Sequence, residues 1–240
     1  MVTAQSAPPP AAPFPKALPV LLSGTAGYVD TAGFLALQGL FTAHVTGNFV
    51  TLGASLVLGT SGAIAKLLAL PMFCVVVVAT RLAGAALRAR GRPALGVLLS
   101  VKLGLLILAG VLAVSQGPFH DAAGWRALLT GMTLVSAMAI QNAVHRVHLA
   151  AAPPTTLMTG STTQIMLDLA DLLRGQTEGR EVLTRRLRSM STSVGAFALG
   201  CAAGAVLFAG LNVWCFTIPP VLAAIGIVME RRGRLAPRAR

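Results

Sequence analysis

The chain has 240 residues, 55% apolar and 11% charged, with 19 Lys and Arg against 7 Asp and Glu, a formal charge of +12. Soluble domains carry about a quarter charged residues, so an ordinary soluble fold is excluded, as is a disordered chain, which needs low hydropathy. A nucleic-acid binder gathers its basic residues on one folded polar face. Here they stand between long apolar runs, the pattern of a polytopic membrane protein with the lipid bilayer as its partner and no nucleic acid. Cys74, Cys201 and Cys215 fall inside apolar runs, with no CxxC and no Cys/His cluster at metal spacing. They read as small buried apolar residues, and neither a metal nor another cofactor is implied.

Residues 1–17 form a Pro/Ala-rich tail with Pro8, Pro9, Pro10, Pro13 and Pro15, expected to be disordered or polyproline-like. No basic stretch precedes an apolar core there, so a cleaved signal peptide is not expected. A membrane helix needs about 20 apolar residues. Segments 18–40, 67–88, 94–115, 126–146, 190–210 and 212–230 qualify, whereas 44–60 and 155–173 are apolar but short and rich in hydroxyls and Gly.

Charge orders these segments. Thirteen of the 19 basic residues lie in three places: Arg88, Arg90 and Arg92; Arg174, Arg180, Arg185, Arg186 and Arg188; and Arg231, Arg232, Arg234, Arg238 and Arg240. The positive-inside rule puts all three in the cytoplasm. If 155–173 crossed fully, the Arg-rich stretch after it would lie outside, so it is expected to dip in and return, and 44–60 likewise from the other side. The expected fold is all-α: six full transmembrane helices and two re-entrant half-helices, with both termini cytoplasmic.

The halves resemble each other. HVTGNFVTLG at 44–53 matches LMTGSTTQIM at 157–166, an offset of 113 between Thr46 and Thr159. GYVD at 27–30 lies over AIQN at 139–142, offset 112, and AGAAL at 83–87 over AGAVL at 203–207, offset 120. Residues 18–115 and 116–230 are thus expected to be two membrane repeats, with a basic cytoplasmic tail at 231–240. Three crossings per half is odd, so the repeats are inverted, as in many secondary transporters.

At these residues the chain resembles a known family. GYVDTAGFLALQGLFTAHVTGNFVTLG at 27–53 is similar to the signature of the YoaK family, domain of unknown function 1275, and QNAVHR at 141–146 and PPTTLMTGSTT at 153–163 resemble its second-half signature. The resemblance covers about residues 18–230. It implies a bacterial inner-membrane protein with about six helices and brings no activity with it. Ser161 stands where the first motif has Asn48, so the second site has a different set of polar groups.

Irregular backbone at membrane depth is tolerated only when buried in protein or lining a wet cavity. Thr46-Gly47-Asn48 and Thr159-Gly160-Ser161 fit that rule, with Thr, Asn and Ser as good N-caps. Each is expected to begin a half-helix whose positive dipole end points inward, and inverted repeats bring two such ends face to face. That makes a small site for an anion or carboxylate. The bland alternative is a pair of loops whose Ser and Thr bond nearby carbonyls and hold helices together. Pro153 and Pro154 suit an extended approach to the second half-helix.

Asp30 is the sharpest single residue. An ionisable side chain near mid-span costs at least about 2.5–3.5 kcal/mol, so it is paired, neutralised or functional. It could carry a coupling proton, ligate Na⁺, pair with Arg81 or cap a helix break. Asn142 is its uncharged equivalent in the second half. Arg81 and Lys102 are expected to snorkel to the cytoplasmic face, with a counter-charge role for Asp30 or an anion as the alternative. Asp168 and Asp171 read as cytoplasmic polar residues near Arg174. His44 is a possible outer-gate acceptor or a plain interfacial residue, and His145 and His148 belong to the cytoplasmic interface. Trp125 and Trp214 read as interfacial anchors, Gly200 and Gly204 as helix packing, and Pro219 and Pro220 as a kink in the last span.

Three functions compete. The first is a small secondary transporter or permease for a small polar or anionic solute, coupled to H⁺ or Na⁺, with a central site at Asp30, Thr46, Gly47, Asn48, Asn142, Thr159, Gly160 and Ser161. The second is a non-catalytic assembly or lipid-binding protein with a basic cytoplasmic surface. The third, a membrane-embedded enzyme, finds no HExxH, GxSxG or paired carboxylates to support it, and no catalytic residue is assigned.

Overall fold

A computed structural model describes residues 15–121, 123–175 and 179–235. The first fourteen residues of the Pro/Ala-rich tail and the last five of the basic tail lie outside the described residues. The helices are α1 (Ala17–Ala36), α2 (Asn48–Leu58), α3 (Ala63–Ala89), α4 (Ala94–Gln116), α5 (Trp125–His148), α6 (Met158–Leu173), α7 (Arg180–Leu211) and α8 (Ile218–Leu235), with 3-10 segments at Val45–Gly47 and Asn212–Thr217. The described residues contain no strand, so the chain is all-α.

Large apolar side chains also face outward, while several polar ones are buried. Val75 and Leu82 on α3 are 66% and 65% exposed, while Lys102 and Gln141 are buried. Apolar surface on that scale is covered by lipid, not water. Helices α3, α4, α5 and the stretch Arg180–Leu235 are each long and apolar enough to cross a membrane. At 20 residues and about 30 Å, α1 has the length too, but it carries Ser23, Thr25, Tyr28, Asp30 and Thr31. Its polar groups are shielded because it sits in the middle of the bundle.

Packing fixes the direction of each helix. Gly24 abuts Gly200 and Tyr28 abuts Gly204, so α7 runs parallel to α1. Leu18 meets Gly226 and Pro15 meets Gly233, so α8 runs antiparallel to α1, and Arg180–Leu235 therefore reverses at Asn212 (φ 49°). Gly33 lies beside Leu134 while the Leu22 carbonyl accepts from Gln141, so α5 is antiparallel to α1. Gly96 meets Glu230 and Gly110 meets Phe216, so α4 is antiparallel to α8. The partnerships are reciprocal: α1 packs on α7 and α8 of the second half, and α5 on α3 and α4 of the first. We call the end at which α1 begins the lower end.

Several boundaries differ from the sequence expectation. Helix α1 stops at Ala36, where Gln38 (φ 52°) and Gly39 (φ 94°) turn the chain back. Helix α7 starts at Arg180 instead of about 190, because Arg, Glu and Leu are good helix formers and Glu181 suits the first turn. At 32 residues it is about 48 Å long, more than a bilayer core. Helix α8 continues through Leu235 into the expected basic tail. Pro219 and Pro220 do not kink it: they occupy its first turn, where N–H groups have no helical acceptor. Cys74 is exposed on α3 and not buried, and Cys201 and Cys215 are free. Gly200 and Gly204 serve helix packing, as the sequence suggested.

Candidate functional site

Two buried polar knots stand at opposite ends of the bundle. Asp30 forms the upper one, six residues before the end of α1 and so about 9 Å from it. Its Oδ1 accepts the backbone N–H groups of Thr42 and Ala43, both at 2.7 Å, and its Oδ2 lies 2.7 Å from His44 Nδ1. The turn at Gln38–Gly39 makes this possible by folding the chain back over its own helix. Asp30 is 4% exposed, and the His44 ring packs edge-on against Phe197 of α7 at 5.2 Å. A buried carboxylate is tolerable only when so paired. Of the roles weighed for Asp30, the one on view is anchoring the backbone ahead of α2. Arg81 is not among its partners.

The TGN motif is arranged differently from a simple cap. Neither α2 nor α6 has a side-chain cap bond. Asn48 instead clamps Phe41, accepting from its N–H at 2.9 Å and donating to its carbonyl at 2.8 Å. Thr46 is exposed and Gly47 half-buried in the 3-10 turn. In the second motif Thr159 and Gly160 are exposed in the first turn of α6, and buried Ser161 donates to the Leu157 carbonyl at 3.1 Å. Helix α2 packs on α3 and α6 on α7, so the two motifs are not brought together by these contacts.

The lower knot centres on Lys102, Gln141 and Asn142. Lys102 is 1% exposed, and its ammonium bonds Gln141 Oε1 instead of snorkelling to the surface. Gln141 Nε2 donates to the Leu22 carbonyl at 2.9 Å and to Thr155 Oγ1 at 3.3 Å, so one amide ties α1, α4, α5 and the loop before α6. Asn142 Oδ1 accepts from Thr156 Oγ1 at 2.6 Å. Asn142 and Thr156 are fourteen residues apart, as are Asp30 and His44. The chemistry differs in a matched way. At offset 112, Thr42 corresponds to Pro154, which has no N–H to give, and the carboxylate corresponds to a neutral amide that needs fewer donors.

The hairpins match as well. Lys66 Nζ donates to Ser55 Oγ at 2.6 Å across α2–α3. Arg186 Nε donates to Asp168 Oδ2 at 2.7 Å across α6–α7, so Asp168 pairs with Arg186 and not with Arg174. That guanidinium holds the Asp168 carboxyl below its ordinary value. Arg81 and His148 line a cleft at the lower end with Arg88. Among the described residues no group of three or more His, Cys, Asp or Glu could hold a metal.

Reading the sequence missed Gln141, Thr155, Thr156, Ser55 and Lys66. The signals were present: Gln141 adjoins Asn142 in QNAVHR, Thr155 and Thr156 lie in PPTTLMTG, and Lys66 is a lone cation at the start of an apolar run.

Comparison with known proteins gives the family. Residues 18–229 match the family described as a protein of unknown function, DUF1275. The chain is 28% identical over 236 residues to "UPF0700 transmembrane protein YoaK" of Bacillus subtilis (strain 168), covering 94% of this chain and 98% of that protein. No solved structure matches. A family match over that span, on a bundle whose apolar surface faces outward, places the chain as a membrane protein belonging to the DUF1275 family.

Proposed function

We propose that the chain is a small secondary transporter for a small polar or anionic solute. It is built as a 3+3 inverted repeat of six crossings and two half-helices, in a bacterial inner membrane with both termini cytoplasmic. The lower end carries Arg88, Arg90 and Arg92, and Arg231, Arg232 and Arg234, which supports a cytoplasmic assignment for that end. Reciprocal packing of the halves and the matched pairs Asp30·His44 with Asn142·Thr156 support the repeat. Proteins of that build work by moving one half against the other around an interior site.

The observation that carries the reading is Lys102. A lysine wholly inside a membrane bundle, bonded to an amide and to no carboxylate among the described residues, marks a functional position. An anion is the solute that such a group stabilises. Asp30 with His44 is the pair through which a coupling proton or Na⁺ acts, at the opposite end from Lys102. The exposed starts of the half-helices at Thr46-Gly47 and Thr159-Gly160 add dipoles of the same sign.

The test is a thermal-stability screen of purified protein in detergent against small inorganic anions, carboxylates, nucleobases and cations at two pH values. A specific ligand at about 100 times its Kd adds about 2.7 kcal/mol, a visible shift. The expected result is an anion-dependent shift that Lys102→Gln abolishes and whose pH dependence Asp30→Asn removes. A flat panel on well-folded protein, or a shift indifferent to Lys102→Gln, overturns the proposal in favour of an assembly or lipid-binding role.

A further inference from the structure

We propose that the lower end holds a built site for the phosphate of an anionic phospholipid, independent of any solute site. One face of α3 presents Thr80, Gly84 and Arg88 at the i, i+4 and i+8 spacing that aligns side chains along a helix, with Arg81 three residues before Gly84 on the same side. Helix α5 closes the other side with Val147 and His148, and Leu98 of α4 forms part of the apolar floor. The cleft is open, with about 190 Å³ of empty space counted together with its mouth.

Three observations point to its occupant. First, the cations are uncompensated. The ion pairs among the described residues are His44 with Asp30, Arg186 with Asp168 and Arg234 with Glu230, so neither Arg81 nor Arg88 has a carboxylate partner. Second, His148 Nε2 is buried without a hydrogen-bond partner, although buried polar atoms are ordinarily paired. Third, the depth is wrong for a purely aqueous anion. Arg81 lies eight residues before the end of α3, about 12 Å along the axis, on a face that continues into exposed Val78 and Leu82. A guanidinium there reaches toward the headgroup layer, and its natural counter-ion is a lipid phosphate drawn into the cleft. Two guanidiniums offer bidentate recognition of phosphate oxygens, and basic pockets between helices on the cytoplasmic side recognise anionic headgroups in this way.

Gly84 keeps the cleft open. A Cβ there lies 3.5 Å from Leu98 Cδ1 and 3.8 Å from Arg88 Nη1, so a methyl is accommodated but a larger side chain occupies the space a phosphate needs.

The site is tested by native mass spectrometry of the full chain released from detergent containing equal phosphatidylglycerol and phosphatidylcholine. It is retested with Arg81→Gln/Arg88→Gln, with Gly84→Leu, which fills the cleft without changing charge, and with Arg185→Gln as a distant control. Expected is retention of one phosphatidylglycerol in preference to phosphatidylcholine, weakened about tenfold or more by the double variant, as loss of charge-assisted bonds implies, and comparably by Gly84→Leu. Arg185→Gln leaves it unchanged. Equal retention of phosphatidylcholine overturns the site, and so does phosphatidylglycerol retention that neither cleft variant alters. A parallel melting experiment with inorganic phosphate separates the two sources of the anion: stabilisation equal to that by phosphatidylglycerol at the same concentration overturns a lipid occupant.

Discussion

Lys66 bonds Ser55 across the α2–α3 hairpin, and Arg186 bonds Asp168 across the α6–α7 hairpin. The offset of 113 that pairs Thr46 with Thr159 also pairs Ser55 with Asp168, and the offset of 120 that pairs Gly84 with Gly204 also pairs Lys66 with Arg186. Each hairpin is closed by a cation on its long helix reaching back to an oxygen on its short one. The first closure has no negative charge. Replacing Ser55 by Asp supplies it, and the expected outcome is a higher melting midpoint in detergent. Ser55→Ala leaves the ammonium with only the Ser61 carbonyl at 3.5 Å and is expected to cost about 1–3 kcal/mol.

The second closure responds to acid. Because Arg186 holds the Asp168 carboxyl below its ordinary 3.8, the folded state binds that proton less readily than the unfolded chain. The stabilisation is complete above the unfolded value and is lost as pH falls below about 4 through the folded value. Wild type is therefore expected to melt higher than Asp168→Asn at pH 7, with the difference shrinking on acidification to pH 3. Parallel melting curves across that range refute the assignment.

At Asp30 the two oxygens do separable work. Asp30→Asn keeps an acceptor for the Thr42 and Ala43 N–H groups and loses the charge facing His44, so a small loss of stability is expected. Asp30→Ala strands both buried N–H groups at about 1–3 kcal/mol each. The check is the melting midpoint together with labelling of a cysteine placed at Thr46, which should become faster in Asp30→Ala as the loop loosens.

The bundle was legible in the sequence because lipid imposes a blunt rule: long apolar runs become helices, and arginines mark one end. Helices α3, α4 and α5 fall within a few residues of where hydropathy puts them. The polar interior was less legible. Hydropathy weighs Gln141 and Asn142 alike, yet which of them meets Lys102 depends on the rotation of α5. Lys102 itself is short enough of the lower end to snorkel in a one-dimensional count, but α4 packs on α5, and Lys102 meets Gln141 inside the bundle. The expected kink at Pro219 and Pro220 is absent for a local reason: the reversal at Asn212 moves the helix start to Ile218, where proline is welcome.

The α1–α7 crossing tests how far the bundle depends on small residues. Backbone meets backbone there: a Cβ at Gly200 would run into Gly24, and one at Gly204 would lie 2.7 Å from the Tyr28 carbonyl. Gly200→Leu is expected to abolish the folded monodisperse protein, whereas Gly210→Ala, with open space around it, leaves size-exclusion profile and midpoint unchanged. Equal tolerance at both positions would falsify the crossing.

Lys102 and Gln141 give the most discriminating measurement, because a buried pair has a different signature from two independent residues. Removing only the amide, in Gln141→Leu, leaves the buried Lys102 amine without its acceptor and the Thr155 hydroxyl without its donor. That single change is expected to cost about 1–3 kcal/mol. Removing the cation alone, in Lys102→Met, deletes the charge and should cost less. The double variant should recover much of the loss in Gln141→Leu, since an apolar pair of similar volume can replace a buried polar one. A coupling energy of about 1 kcal/mol or more from the cycle supports direct contact. Additive losses would mean that the two side chains do not meet inside the bundle, and the interior cation would then lose the structural partner on which its proposed role depends.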